Sequence, residues 1–298
     1  MVEIIYKCCF KILEKAGFYH NAPVEKLTKA RFRAMLEYKL NLDCPKTFNE
    51  KLQWLKLYWK NPIQIKCADK YAVREFVAEK CGDKILNKLY AVYDSVDEIK
   101  WEQLPEWFVI KANHGSGMNI ICKKKSELNI SEACQRLKKW MNTDYSKRAG
   151  EWFYAEMPKK IIIEEYLENE SMGELPDYKL FCFNGKVKMF KVDLHRFMDG
   201  GKGHQAIYYD LNWEKIPVKE GKYGNIESVS KPEKLDEMIE NAEKLAENIP
   251  FVRVDFYEVK GKLYFGEMTF LPAGGSRKYY PQQYDEIWGS WLRLPSGE

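Results

Sequence analysis

The sequence predicts an α+β fold of antiparallel sheets with its helices gathered toward the N-terminus. Three observations carry that prediction. Residues 1–85 read as helical, two later stretches read as β-hairpins, and short helices are interspersed among the strands. A doubly wound parallel sheet would need a regular strand–helix–strand alternation instead.

In chain order, the N-terminal segment is apolar but interrupted by Lys7, Lys11 and Lys15, the pattern of an amphipathic helix. It lacks the unbroken apolar run and small-residue cleavage site of a signal peptide. Docking on the protein's own core is the expectation, with peripheral contact at the inner face of a membrane as the alternative. Thr47-Phe48-Asn49-Glu50 is a capping box before Leu52, Leu55 and Trp59. A further helix is expected from Asp69 through Val77, with Gly82 to stop it. Strands follow at Trp107–Lys111 and Asn119–Cys122, then a helix capped by Asn129, then the strand Lys160–Glu164. Asn184-Gly185 joins Tyr178–Phe183 to Lys186–Val192, and Asn-Gly is the strongest short hairpin signal. A helix over Pro232–Asn248 precedes the last hairpin, in which Phe251–Val259 and Leu263–Phe270 meet at Lys260-Gly261-Lys262. The expected division is a helical region 1–85, a small lid unit 86–160 and a larger unit 161–298.

Composition narrows the function classes. The 298 residues are 45% hydrophobic and 31% charged, so the chain can bury a sizeable core. A formal charge of +4 and a single dense basic block, Lys123–Lys125, argue against a nucleic-acid partner. No stretch approaches the roughly 20 apolar residues of a membrane span. Eight cysteines without zinc spacing fit reduced, buried thiols in a cytoplasmic protein. No G-x-S-x-G motif supports a serine hydrolase.

Three constellations carry chemistry. In the last hairpin, alternation places Arg253 and Asp255 on one face. A three-residue turn centred on Gly261 would set Asp255 opposite Glu267 and Arg253 opposite Thr269, with facing Cβ atoms ~5 Å apart. Two facing carboxylates repel unless a cation lies between them, and carboxylates plus phosphate oxygens suit Mg²⁺. A polar face neutralised by Arg253 is the plainer alternative. The second constellation is Lys111 followed by Asn113-His114-Gly115-Ser116-Gly117, a strand-end lysine before a glycine-rich loop that can cradle phosphate. The third is Ile161–Ile163 running into Glu164-Glu165-Tyr166-Leu167, paired acids at the end of a buried strand.

The order of these elements, with Asp69-Lys70 before them, resembles the ATP-grasp superfamily. Thr47–Leu52, Phe181–Lys186 and Gly266–Phe270 are similar to the teichuronopeptide-biosynthesis (TupA-like) family within it, over residues 40–285. The resemblance implies an ATP-grasp fold: an antiparallel-sheet lid and an antiparallel-sheet core gripping ATP, behind a short helical N-terminal region. It implies that Lys70 and Lys111 bracket the ATP phosphates, and that Gly115, Ser116 and Gly117 close over them. Glu164 would accept from the adenine amino group, with the backbone of Glu165 and Leu167 completing the hinge. Asp177 would hold the ribose, or else Glu168, Glu170 or Glu174. Lys179 or Arg196 would reach the transferring phosphoryl group. Asp255, Glu267 and Thr269 would hold Mg²⁺, and Arg253 would stabilise an acyl-phosphate. Thr269 stands where the family's ligases usually have asparagine. A hydroxyl ligates Mg²⁺ more weakly, which bears on a second metal and not on the first. The helical N-terminus also departs from the usual α/β substrate domain.

The activity so implied is an ATP- and Mg²⁺-dependent carboxylate–amine ligase. It would join an amino acid or small amine to a sugar acid or glycan in cell-surface polysaccharide synthesis. His195, Arg277 and Tyr279 are the candidates for binding acceptor. Rival readings are a kinase acting on a sugar hydroxyl and a non-catalytic glycan-binding protein, though scattered tryptophans read better as core.

Overall fold

In a computed structural model of the protein, the described residues are 2–15, 22–168, 175–194, 204–220 and 228–296. The helices among them are α1 (Val2–Lys15), α2 (Val24–Leu36), α3 (Phe48–Tyr58), α4 (Ile63–Ala68), α5 (Val73–Cys81), α6 (Ile130–Met141), α7 (Ser146–Ala149), α8 (Leu235–Leu245) and α9 (Gln283–Trp291). The strands are β1 (Leu89–Tyr93), β2 (Phe108–Ala112), β3 (Asn119–Cys122), β4 (Ile161–Glu164), β5 (Asp177–Phe183), β6 (Lys186–Leu194), β7 (Gln205–Tyr209), β8 (Lys215–Ile216), β9 (Lys219–Glu220), β10 (Phe251–Val259), β11 (Lys262–Thr269) and β12 (Tyr279–Tyr280). No helix is long and apolar enough to cross a membrane among the described residues.

Two antiparallel sheets organise the chain. The smaller has the order β1-β4-β2-β3 and the larger β11-β10-β5-β6-β7-β8, with β12-β9 as a separate ribbon. Strand β4, expected to open the larger unit, lies inside the smaller sheet, paired with β1 and β2. Its three isoleucines are fully buried. Ile161 and Ile163 join Phe108, Ile110, Ala133 and Leu137 in the core beneath α6. Period-2 alternation then turns Ile162 and Glu164 to the opposite face.

One face of the larger sheet changes character along its strands. At one end Phe251 pairs with Phe183, and both rings pack on Phe48 of α3 at 4.9 and 5.4 Å. Trp288 of α9 completes that cluster. Toward the other end the same face carries Arg253, Asp255, Lys179 and Asp177. The aromatic end is covered because α3 is held firmly. Its capping box is present, with Thr47 Oγ1 accepting from Glu50 N–H at 3.1 Å and Glu50 Oε2 accepting from Thr47 N–H at 3.1 Å. Asn49 ties it to α9 by donating twice to Asp285, at 2.9 and 2.8 Å. The opposite face of the sheet buries Val252, Val254, Leu180 and Cys182 with α8. Each such side chain contributes about 1.5–3 kcal/mol by leaving water.

Cys67, Cys122 and Cys182 are buried as expected, whereas Cys8, Cys9 and Cys44 are exposed. Phe10 on α1 is buried, whereas Ile12 and Leu13 of the same helix are exposed.

The turns decide the register of the functional hairpin. Asn184 (φ 49°) and Gly185 (φ 80°) make a two-residue turn with both residues left-handed. Lys260 (φ 51°) and Gly261 (φ 72°) do the same, so the last turn has two residues rather than the expected three. Val259 therefore faces Lys262. A bulge at Gly266 absorbs the one-residue offset, after which Asp255 faces Glu267 and Arg253 faces Thr269. The anticipated pairing holds because two departures from the simple hairpin cancel.

Candidate active site

A cavity of about 540 Å³ opens over the charged end of the larger sheet, lined by residues of that sheet, of the N-terminal helices, of the loop after β2 and of the segment Tyr145–Tyr154. Lys70, Ser116, Lys179, Arg253, Glu267, Thr269 and Arg277 all line it. Seven residues expected to act at one site thus share one cavity.

The hairpin supplies its floor. Arg253 lies bidentate on Asp255, Nε to Oδ1 at 2.6 Å and Nη2 to Oδ2 at 2.7 Å. The same Nη2 reaches Glu267 at 2.9 Å and Thr269 Oγ1 at 3.0 Å. Thr269 in turn donates to Glu267 at 3.0 Å. Burial alone would lower the Arg253 pKa, yet Asp255 and Glu267 outweigh it and raise it. Burial pushes Asp255 up, while Arg253 and Lys179 pull against that. The guanidinium that the family resemblance assigned to an acyl-phosphate is thus engaged with the acids of its own hairpin. A buried carboxylate needs a paired cation, and Arg253 is two residues away on the same face.

The charge pairing continues across β5 and β6. Lys179 Nζ is only 2% exposed and donates to Asp255 at 2.6 Å and Asp177 at 2.5 Å. Lys191 bridges Asp193 at 3.0 Å and Glu220 at 2.8 Å, and Arg277 Nε meets Glu220 at 2.9 Å. Asp177, expected at the ribose, is buried inside this network and does not line the cavity. Tyr279, expected to bind acceptor, is 5% exposed and packs edge-on against Trp288 at 4.7 Å. Its register opposite Glu220 on β9 turns it inward, and Tyr280 outward. His195, Arg196, Glu170 and Glu174 lie outside the described residues, and Glu168 is exposed near Lys123.

On the other side the loop after β2 brings Ser116 to the cavity, whereas Lys111 and Glu164 of the smaller sheet do not line it. Lys111 Nζ meets Glu164 Oε2 at 2.6 Å, and Arg74 Nη1 meets Oε1 at 2.9 Å. Burial would raise the Glu164 pKa, but Lys111 and Arg74 prevail and hold it low. Both carboxylate oxygens, anticipated at an adenine, are therefore occupied in fixing two cations. The Glu165 N–H donates to the Lys88 carbonyl at 2.8 Å, and its carbonyl accepts from Asn87 at 3.4 Å. Leu167 is half-buried just beyond.

The loop itself is anchored by residues the sequence did not single out. Asn113, fully buried, donates to Asp69 Oδ2 and to the Pro158 carbonyl, both at 2.8 Å, and accepts from Lys160 N–H at 2.8 Å. Asp69 Oδ1 also accepts from Tyr71 N–H at 2.7 Å, so α5 starts at Val73 after an Asx turn rather than at Asp69. Lys70 then donates to the Gly115 carbonyl. Burial lowers its pKa, with Glu267 drawing it back up and Lys111 opposing. A Cβ at Gly115 would sit 2.8 Å from the Tyr145 ring, and Gly117 has φ +75°. Both positions demand glycine. Ser116, exposed between them, faces the cavity.

Of the missed residues, Lys191 and Asp193 had a legible signal, charged side chains at period 2 in a strand. Arg74, Asn113 and Glu220 become meaningful only through contacts distant in sequence.

No curated protein matches the sequence. Among solved structures, the D-alanine–D-alanine ligase from Bacillus anthracis complexed with ATP is 16% identical (TM-score 0.39), covering 70% of this chain and 56% of that one. The D-alanine–D-alanine ligase from Helicobacter pylori is 14% identical (TM-score 0.42), with 83% and 69% covered. The L-amino acid ligase from Bacillus licheniformis is 12% identical (TM-score 0.48), with 85% and 57% covered. The chain thus spans little more than half of the first and third of these. The family description TupA-like ATPgrasp matches residues 50–293, most of the chain. By that match, and with its two antiparallel sheets and helical N-terminus, the chain belongs to the TupA-like ATP-grasp family.

Proposed function

We propose that the protein is an ATP- and Mg²⁺-dependent ligase that activates a carboxylate as an acyl-phosphate and transfers it to an amine. The observation that carries this reading is one cavity shared by Lys70, Ser116, Arg253, Glu267 and Thr269. Lys70 stands on its loop side and Glu267 on its floor beside Arg253 and Thr269, groups that suit a metal-bound polyphosphate.

Asp255 and Glu267 fit a divalent cation. They face each other on adjacent strands, and the Arg253 guanidinium already lies against both as a stand-in cation. The residues that would hold Mg²⁺ are Glu267 and Asp255, with the Thr269 hydroxyl beside them. Mg²⁺ there would neutralise phosphoryl charge. Lys70, tied to the Gly115 carbonyl, draws the glycine loop over the cavity and contributes positive charge to it. Lys111, which does not line the cavity, would turn from Glu164 to take the same role. Arg253 can exchange its contact with Glu267 for an acyl-phosphate oxygen while Asp255 keeps its position, and Lys179 braces Asp255 from behind. The excess of positive charge along the cavity wall suits an acidic substrate, in keeping with a sugar acid of cell-surface polysaccharide joined to an amino acid or small amine.

The test is release of ADP and inorganic phosphate by the purified chain with Mg²⁺-ATP and a panel of sugar acids and amino acids. The expected result is phosphate release only when acid and amine are both present. ADP accompanied by a phosphorylated hydroxyl and no phosphate would refute ligation.

A further inference from the structure

We propose that Glu151 is the general base of the amide-forming step, accepting a proton from the ammonium group of the attacking amine. This rests on the ligase reading and assigns the group that reading lacks, since an ammonium has no lone pair with which to attack.

The backbone delivers Glu151 to the cavity. Helix α7 ends at Gly150, whose φ of +73° reverses the chain, and a 3₁₀ turn begins at Trp152. The Glu151 side chain between them lines the same cavity as Lys70, Arg253 and Glu267. Glu151 is 8% exposed, yet no donor among the described residues hydrogen-bonds its carboxyl group. Every other buried acid around the cavity is held by a cation: Asp255 by Arg253, Asp177 by Lys179, Asp193 and Glu220 by Lys191, Glu164 by Lys111. Each of those carboxylates already has a cation beside it. Of this set only Glu151 and Asp193 line the cavity, and Asp193 is held by Lys191.

The surrounding charges keep it usable as a base. Burial raises its pKa to about 7, partly offset by Lys56 of α3, Arg148 of α7, Arg31 of α2 and Lys70. Tyr154, whose hydroxyl burial and Glu151 keep firmly protonated, faces it as well. Lys56 is itself pushed down to about 8 by burial. A base that titrates near neutrality both accepts and releases a proton at modest cost.

The step balances. The carboxylate takes one proton from the ammonium, the amine nitrogen attacks the acyl carbon, and the carbon–oxygen bond to phosphate breaks. The second proton leaves the nitrogen with hydrogen phosphate, and Glu151 returns its proton to water.

The experiment compares two nucleophiles, hydroxylamine and an amino acid, with the sugar-acid panel, ATP and Mg²⁺. Hydroxylamine is already neutral at pH 7 and needs no base. Glu151→Gln is expected to form hydroxamate at about the wild-type rate while amide formation falls roughly 10²-fold. In the wild type, amide formation should decline below pH about 7, and that limb should vanish in Glu151→Gln. Glu151→Asp should recover part of the rate and move the limb, which keeps the test open if the glutamine variant folds poorly. Equal rates of amide formation in wild type and Glu151→Gln would overturn the assignment. So would parallel loss of amide and hydroxamate in a variant with an unchanged melting temperature. A wild type that releases no ADP with any acid would instead sink the ligase reading, and Glu151 with it.

Discussion

The two sheets solve opposite electrostatic problems. On the side of the smaller sheet, one carboxylate, Glu164, serves two cations, Lys111 and Arg74, and Lys70 stands nearby. Across the larger sheet, the β9–β12 ribbon and the segment leading into β12, Asp177, Asp193, Asp255, Glu220 and Glu267 outnumber Lys179, Lys191, Arg253 and Arg277. The first side has positive charge to spare and the second negative. A ligand carrying anionic phosphates toward one side and a bound cation toward the other matches both. The contrast also separates two kinds of acid. Glu267, with a side chain 38% exposed, can change partners, whereas Asp255 at 2% is locked between Arg253 and Lys179.

The largest expected effect tests that separation. Glu267→Gln should cut turnover by about 10²-fold or more through lost metal-borne charge, with little change in melting temperature. Asp255→Asn should lose comparable turnover and, in addition, about 3–5 kcal/mol of stability, because it leaves two buried cations short of a partner. ADP release and thermal melting read both. Equal stability of the two variants would erase the distinction between floor acids.

A smaller effect probes the other side. Lys111→Ala should raise the KM for ATP by about tenfold, roughly 1.4 kcal/mol, and leave Glu164 held by Arg74. A KM unchanged within twofold would mean that the excess positive charge there does not serve phosphate.

The smallest expected effect is a slope. Glu151 has a folded pKa near 7 against an ordinary value of 4.5. The folded state therefore holds a proton that the unfolded state has lost, and stability falls as pH rises across that window. Melting temperature against pH should be flatter for Glu151→Gln than for the wild type between 4.5 and 7. Identical slopes would show that Glu151 titrates with the solvent.

Much of the floor was legible because a strand's period of two decides which side chains share a face. Alternation groups Arg253 with Asp255 and Glu267 with Thr269, whereas their facing register rests on the Gly266 bulge that offsets the shorter turn. The fold class followed from hairpin signals and capping chemistry, both local. The smaller sheet was less legible. Lys111 and Glu164 were identifiable, but their mutual pairing depends on β4 lying beside β2, roughly fifty residues apart in the chain. Asp177 and Tyr279 were placed by order and resemblance, which say nothing of the long-range partners, Lys179–Asp255 and Trp288, that bury them. Asn113 looked like loop and proved to be an anchor, since its three partners come from Asp69 and the segment Pro158–Lys160.

The kink at Gly266 has a consequence for how this hairpin can vary. A methyl group there would lie 3.0 Å from the Asp255 carbonyl, so a side chain at that point pushes on the very strand whose acid it helps to align. The tip at Lys260-Gly261 and the kink are a matched pair of offsets, one residue each and opposite in sign. Drawing Lys262 into the tip while keeping the kink would slide Glu267 off Asp255 and swap inside for outside along β11. Drift in this segment is therefore confined to changes that preserve the difference between the two, whatever happens to either alone.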